Sequence, residues 1–281
     1  MSVEEQALCF SCNGSALYGI LAMPAQPRSC GVVIVVGGPQ YRAGSHRQFV
    51  LLARELAAHG YPILRFDYRG MGDSEGETRN FENVEGDIRA AIDLLTEKAP
   101  AVEKVVLWGL CDGATAALFH AHLDSRVSGL VLVNPWARTE EGEARAYLKH
   151  YYQARLADAE LWKKIAGGRF NYKEAGQSLL QLLMRTRQGK TVAGVEDAAP
   201  LPDRMLEAFG RFNGRALLIL SENDLIAKEF SDLANGSSRW RQLIRLPKVQ
   251  TFHLRDANHT FSRREWRDVV ALQTREWLDG A

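Results

Sequence analysis

The chain has 281 residues, of which 46% are hydrophobic and 25% charged, a globular composition with enough length to bury a sizeable core. Thirty-five Lys+Arg against 34 Asp+Glu leave a formal charge of +1, so no global field selects nucleic acid or an anionic membrane. The longest apolar runs, such as Val32–Val36, have strand length, and the opening MSVEEQ lacks a basic or apolar leader, which predicts a cytoplasmic protein with no membrane insertion.

In chain order, ALCFSCNGSALYGILAMP reads as two strands joined by a turn at Asn13-Gly14. Cys9 and Cys12 form a C-x-x-C there, but residues three apart in a strand point to opposite faces, so a structural reading is favoured over a redox or zinc motif. GVVIVVGG (31–38) is a buried strand, followed by a helix in RQFVLLARELAAHG that Gly60 closes. YPILRFDYRG is the next strand and VEGDIRAAIDLLTEKAP the next helix. KVVLWGL (104–110) and VSGLVLVNPW are strands on either side of the helical CDGATAALFHAHL. From Ala137 to Phe209 only helical patterns occur. Alternation resumes with RALLILSEND, a turn region, VQTFHLRDANH and a final helix WRDVVALQTREWL. Strands alternating with helices predict an α/β fold, a mostly parallel central sheet with helices on both faces. The predicted organisation is a core in two parts, 1–136 and 210–281, interrupted by a helical lid at 137–209.

The chemistry concentrates at Gly109-Leu110-Cys111-Asp112-Gly113, a G-x-C-x-G between a strand and a helix. Such a turn strains the backbone at the central residue, demands small neighbours, and holds the thiol at a helix N-terminus that favours a thiolate. Alone, it is equally a glycine-bracketed buried cysteine. Asp224, after the strand ALLIL, and His259, after the strand TFHL, then follow in the order nucleophile, acid, histidine. Three placements at strand ends make Cys111, Asp224 and His259 the predicted catalytic residues.

GGPQYRAGSHRQF, FDYRGMGDSEG, GLCDGA, ILSENDLIAKEF and DANHTF together resemble the α/β-hydrolase superfamily over nearly the whole chain. With GRFNYKEAGQSLLQLL in the lid, the pattern more narrowly resembles the exosortase A system-associated hydrolases of the first type, with a cysteine elbow like that of dienelactone hydrolases. The narrower resemblance implies a bacterial exopolysaccharide locus and no particular substrate.

The expected reaction is nucleophilic acyl transfer. His259 takes the Cys111 proton, Asp224 orients the imidazole, and Cys111 attacks an ester or thioester carbonyl to give an acyl-cysteine. The Asp112 N–H is the expected oxyanion donor. The second comes from Gly37-Gly38-Pro39-Gln40, where Pro39 has no N–H, which leaves Gln40 or, alternatively, Gly38. The Asp112 carboxylate either opposes thiolate formation or stabilises the helix start. A cysteine nucleophile favours thioesters and activated esters or lactones. Hydrolysis leads; an acyltransferase and a non-catalytic binding relative are the alternatives.

His46 and Trp136 are candidate substrate contacts, His46 equally a polar residue at a helix start. Asp67-Tyr68-Arg69-Gly70-Met71-Gly72-Asp73-Ser74 lacks phosphate-loop spacing and reads as structural. The window 137–195 holds 11 Lys+Arg against six Asp+Glu. These are read as solvated helix faces ahead of a surface for an acidic, carrier-bound acyl group. The histidines have no metal-ligand spacing. No cofactor, metal or nucleic acid is expected, only a small-molecule or carrier-bound acyl substrate.

Overall fold

The computed structural model describes residues 2–38, 40–137 and 199–280. The chain opens with a hairpin of β1 (Val3–Cys12) and β2 (Ser15–Pro24), whose turn residues Asn13 and Gly14 both have positive φ, 49° and 83°. That is the backbone a two-residue hairpin turn requires. Cys9 is exposed and Cys12 buried, so the two thiols lie on opposite faces.

Then come β3 (Cys30–Val35), α1 (Gln48–Ala58), β4 (Ile63–Asp67), α2 (Glu85–Lys98), β5 (Lys104–Leu110), α3 (Asp112–Ala121) and β6 (Val127–Val133). From residue 199 onward follow α4 (Leu201–Arg211), β7 (Arg215–Ser221), α5 (Leu225–Gly236), α6 (Ser238–Ile244), β8 (Val249–Leu254) and α7 (Arg264–Asp279). The eight strands form one sheet in the order β1-β2-β4-β3-β5-β6-β7-β8, with β1 and β2 antiparallel and β4 to β8 parallel. This is the α/β-hydrolase arrangement.

The central strands are apolar on both faces because helices cover both. The even positions Val32, Ile34, Val106 and Trp108 share a core with Phe49, Leu52 and Leu56 of α1 and Val270 and Trp277 of α7. Phe49 meets Trp108 edge-on, with ring centroids 5.7 Å apart, and the Trp108 indole N–H donates to Thr274 at 3.3 Å. Odd positions turn the other way, to α2: a Cβ at Gly31 would lie 3.0 Å from Leu95.

Contacts divide the chain into Met1–Ala137 with Arg204–Ala281, and Arg138–Asp203. The second division falls inside α4. Residues 138–198, with the lid helices expected there, lie outside the described residues. The stretch between β7 and β8, expected as a turn region, instead folds as α5 and α6. Its apolar residues Ala227, Phe230, Ala234 and Trp240 are buried, and side-chain caps from Asp224 and Ser237 start the two helices. Among the described residues, no helix is long and apolar enough to cross a membrane.

Candidate active site

Cys111 sits between the end of β5 and the start of α3 with φ 61° and ψ −126°, a backbone a non-glycine residue holds only under strain. Its neighbours leave no room for side chains. A Cβ at Gly109 would lie 2.4 Å from the Gly113 carbonyl oxygen, and one at Gly113 would lie 2.4 Å from that of Val35. This is why the motif needs glycine on both sides. The turn is held by Cys111 N–H donating to the Val133 carbonyl at 2.9 Å, while the Cys111 carbonyl accepts from Trp136 N–H at 3.1 Å. Cys111 is half-buried and packs against the core under α1 and α7.

At the end of β7, Asp224 is buried and its carboxylate has two tasks. One oxygen accepts the Ile226 N–H at 3.2 Å, capping α5. The other meets His259 Nδ1 at 2.7 Å. A carboxylate only accepts, so Nδ1 carries a proton, which in the neutral tautomer leaves the Nε2 lone pair free to act as a base. The loops bearing this pair are tied together by Asn223 N–H to the Ala257 carbonyl at 3.1 Å. Across His259, the side chain of Asn258 exchanges two hydrogen bonds with Ser262.

Asp112 faces the backbone of the loop after β3. Its carboxylate accepts from Gly38 N–H at 2.7 Å and from Gly113 N–H at 3.1 Å, and a Cβ at Gly37 would lie 2.1 Å from it. Burial raises the Asp112 carboxyl above its usual range, opposed by the backbone N–H groups of Gly38, Asp112 and Gly113 and by the His259 imidazole. Of the two readings of this charge, the helix start is where it lies. Gly38 carries a consequence: its N–H already has an acceptor and must exchange it to meet an oxyanion. Gln40 is half-buried, and its side-chain Oε1 is buried without a hydrogen-bond partner. Pro39 lies outside the described residues.

His46 is exposed on a short 3-10 turn, Ser45–Arg47, with φ 54°. Trp136 is half-buried, and its carbonyl accepts the Thr115 hydroxyl at 2.8 Å, so the segment after β6 is fastened to α3. The 67–74 loop spends its polar groups internally. Asp67 holds the backbone and guanidinium of Arg42, Asp87 takes Arg69 Nε at 2.9 Å and Nη2 at 2.8 Å, and Ser74 donates to the Asp67 carbonyl at 2.6 Å. Its structural reading agrees with these bonds.

Asn134 carries a role not visible in the sequence. Fully buried with φ 44°, it donates through Nδ2 to Ser221 at 3.0 Å and accepts the Ser221 N–H at 2.8 Å. It thereby locks the end of β6, which holds the Cys111 turn, to the end of β7, three residues before Asp224. The only sequence signal is a polar residue closing an apolar strand before Pro135, which reads simply as a strand stop.

A sequence model of the alpha/beta hydrolase family matches residues 32–272. The chain belongs to the alpha/beta hydrolase family. This α/β-hydrolase is 34% identical over 88 residues to a polyketide transferase of a Penicillium species, a match that covers 30% of each protein. The chain thus spans under a third of that curated relative. An esterase of Pyrococcus furiosus superposes with a TM-score of 0.67 at 15% identity, over 99% of this chain and 91% of that one. A dienelactone hydrolase of Anabaena variabilis superposes with a TM-score of 0.62 at 16% identity, over 100% and 99%. At such identities the likeness is one of fold.

Proposed function

We propose that this α/β-hydrolase cleaves an ester or thioester through an acyl-cysteine intermediate, with Cys111 as nucleophile, His259 as base and Asp224 orienting the imidazole. The observation that carries the reading is the Asp224–His259 hydrogen bond of 2.7 Å in a chain whose strained Cys111 opens α3. His259 Nε2 takes the thiol proton as sulfur attacks the carbonyl. The tetrahedral intermediate collapses, and the leaving alkoxide or thiolate receives that proton. Water then attacks the acyl-cysteine, giving its proton to His259, and the carboxylic acid leaves as the thiol is restored.

The Asp112 and Gln40 N–H groups are the favoured oxyanion donors, because Gly38 N–H is engaged by the Asp112 carboxylate. His46 and Trp136 flank the substrate, residues 137–209 form the lid, and the substrate is a small or carrier-bound acyl compound. The exosortase-associated resemblance supports a genomic association with bacterial exopolysaccharide and protein-sorting loci. A second reading, transfer of the acyl group to an acceptor other than water, draws on the 34% identity to a polyketide transferase.

The test is thiol alkylation across pH 5–9 with mass-spectrometric location of the label, followed by trapping of an acyl-enzyme from a thioester. Labelling of Cys111 that persists well below pH 8 and slows in His259→Ala is expected, with an acyl adduct absent from Cys111→Ala. Ordinary thiol reactivity indifferent to His259 overturns the reading. Faster adduct turnover on adding alcohol or amine acceptors selects transfer over hydrolysis.

A further inference from the structure

On the face of the sheet covered by α1 and α7, a cleft of about 510 Å³ opens between the two helices over Trp108. Its volume is that of a small-molecule site. Leu52, Phe261, Val270 and Ala271 give it an apolar lining, and neither Cys111, Asp224 nor His259 borders it.

Two hydrogen-bond donors in its wall have no acceptor. Gln48 is 6% exposed, and its buried Nε2 has no partner. Arg267 Nε is likewise buried without one, and the guanidinium reaches only the Ser262 carbonyl, at 3.4 Å. A buried donor left without an acceptor forfeits the hydrogen bond it had in water, so a ligand oxygen placed there recovers more than an ordinary surface contact would.

The other charges at the rim are matched. Arg264 pairs with Asp268 at 3.3 Å and Glu55 with Arg275 at 3.4 Å, which leaves Arg267 without a carboxylate among the described residues. Gln48 and Arg264 are the first residues of α1 and α7, and neither helix has a side-chain cap. Both helix dipoles therefore add to a field that favours an anion.

We infer that this cleft is a second small-molecule site that takes a monocarboxylate with an apolar body. The carboxylate accepts from Gln48 Nε2 and Arg267, and the hydrocarbon covers Leu52, Phe261 and Ala271. The inference is independent of the chemistry at Cys111.

The experiment is calorimetric titration of the full chain with octanoate and, in parallel, octan-1-ol. Octanoate is expected to bind at one site, at least tenfold more tightly than the alcohol. Arg267→Gln should weaken it tenfold or more and Gln48→Leu about fivefold, with far-ultraviolet circular dichroism and Cys111 alkylation rates as in the wild type. Absence of saturable octanoate binding overturns the inference. So does binding that neither substitution weakens, because the carboxylate then sits elsewhere.

Discussion

At the scale of single residues, the placement of Cys111, Asp224 and His259 in the turns after β5, β7 and β8 was legible from the strand patterns, and a strand's end is where a parallel sheet presents side chains. Asn134 ends β6 in the same way and was not legible, because its importance lies in a cross-strand partner, Ser221, that no local pattern reveals. Asp112 was legible as an acid beside the nucleophile, but its direction depended on Gly37 and Gly38 leaving space 74 residues away in sequence. Held by Gly38 and Gly113, the carboxylate serves the helix start, and whether its charge also reaches the neighbouring thiol is tested by removing it. Asp112→Asn retains an oxygen for the Gly38 N–H and removes the charge. If it does reach the sulfur, the Cys111 thiol titrates at lower pH in that variant, read from the pH dependence of iodoacetamide labelling. An unchanged titration would mean the sulfur does not sense this carboxylate.

At the scale of elements, β3, β5, β6 and β7 were legible because burial on both faces leaves nothing but apolar residues. The helices α5 and α6 were not, because their apolar positions are few and are separated by Lys228, Glu229 and Asp232. What starts α5 is Asp224, the same carboxylate that holds His259, so helix and site share a residue. The two roles separate chemically. Asp224→Asn still presents an oxygen to Ile226 N–H but turns its Nδ2 donor towards His259 Nδ1–H, which needs an acceptor. Asp224→Ala loses both functions. Denaturant titrations should show Asp224→Ala about 1 kcal/mol less stable than Asp224→Asn, while both lose about a hundredfold or more in turnover of the acyl substrate. The Arg69–Asp87 pair joins the loop after β4 to α2 and is buried at both ends. Arg69→Met strands the Asp87 carboxylate and is expected to cost about 3–5 kcal/mol, measured by urea unfolding. The cost should reach stability without a change in Cys111 labelling of the folded fraction.

At the scale of the whole molecule, the sheet and its alternation with helices could be read from hydrophobic periodicity alone, since one layered core is the way to bury so many apolar strands. Less legible was what the core does to groups enclosed with it. His120 on α3 is buried with neither ring nitrogen hydrogen-bonded, and burial lowers its pKa to about 4. Asp124 on the same side opposes that shift, whereas Arg89 of α2, Arg126 and His122 add to it. The folded chain therefore keeps this imidazole neutral where an unfolded one, titrating near 6.5, takes up a proton. Stability from this residue is complete above about pH 6.5 and is lost as pH falls towards 4, by about 3 kcal/mol over the window. His120→Met fills similar space without a titrating group. Unfolding free energies measured by urea titration between pH 4 and 7.5 should fall less steeply with acid in the variant, the two proteins differing by up to one bound proton in slope near pH 5. Parallel slopes would instead assign the acid sensitivity to other groups and leave His120 protonated to the same extent in both states.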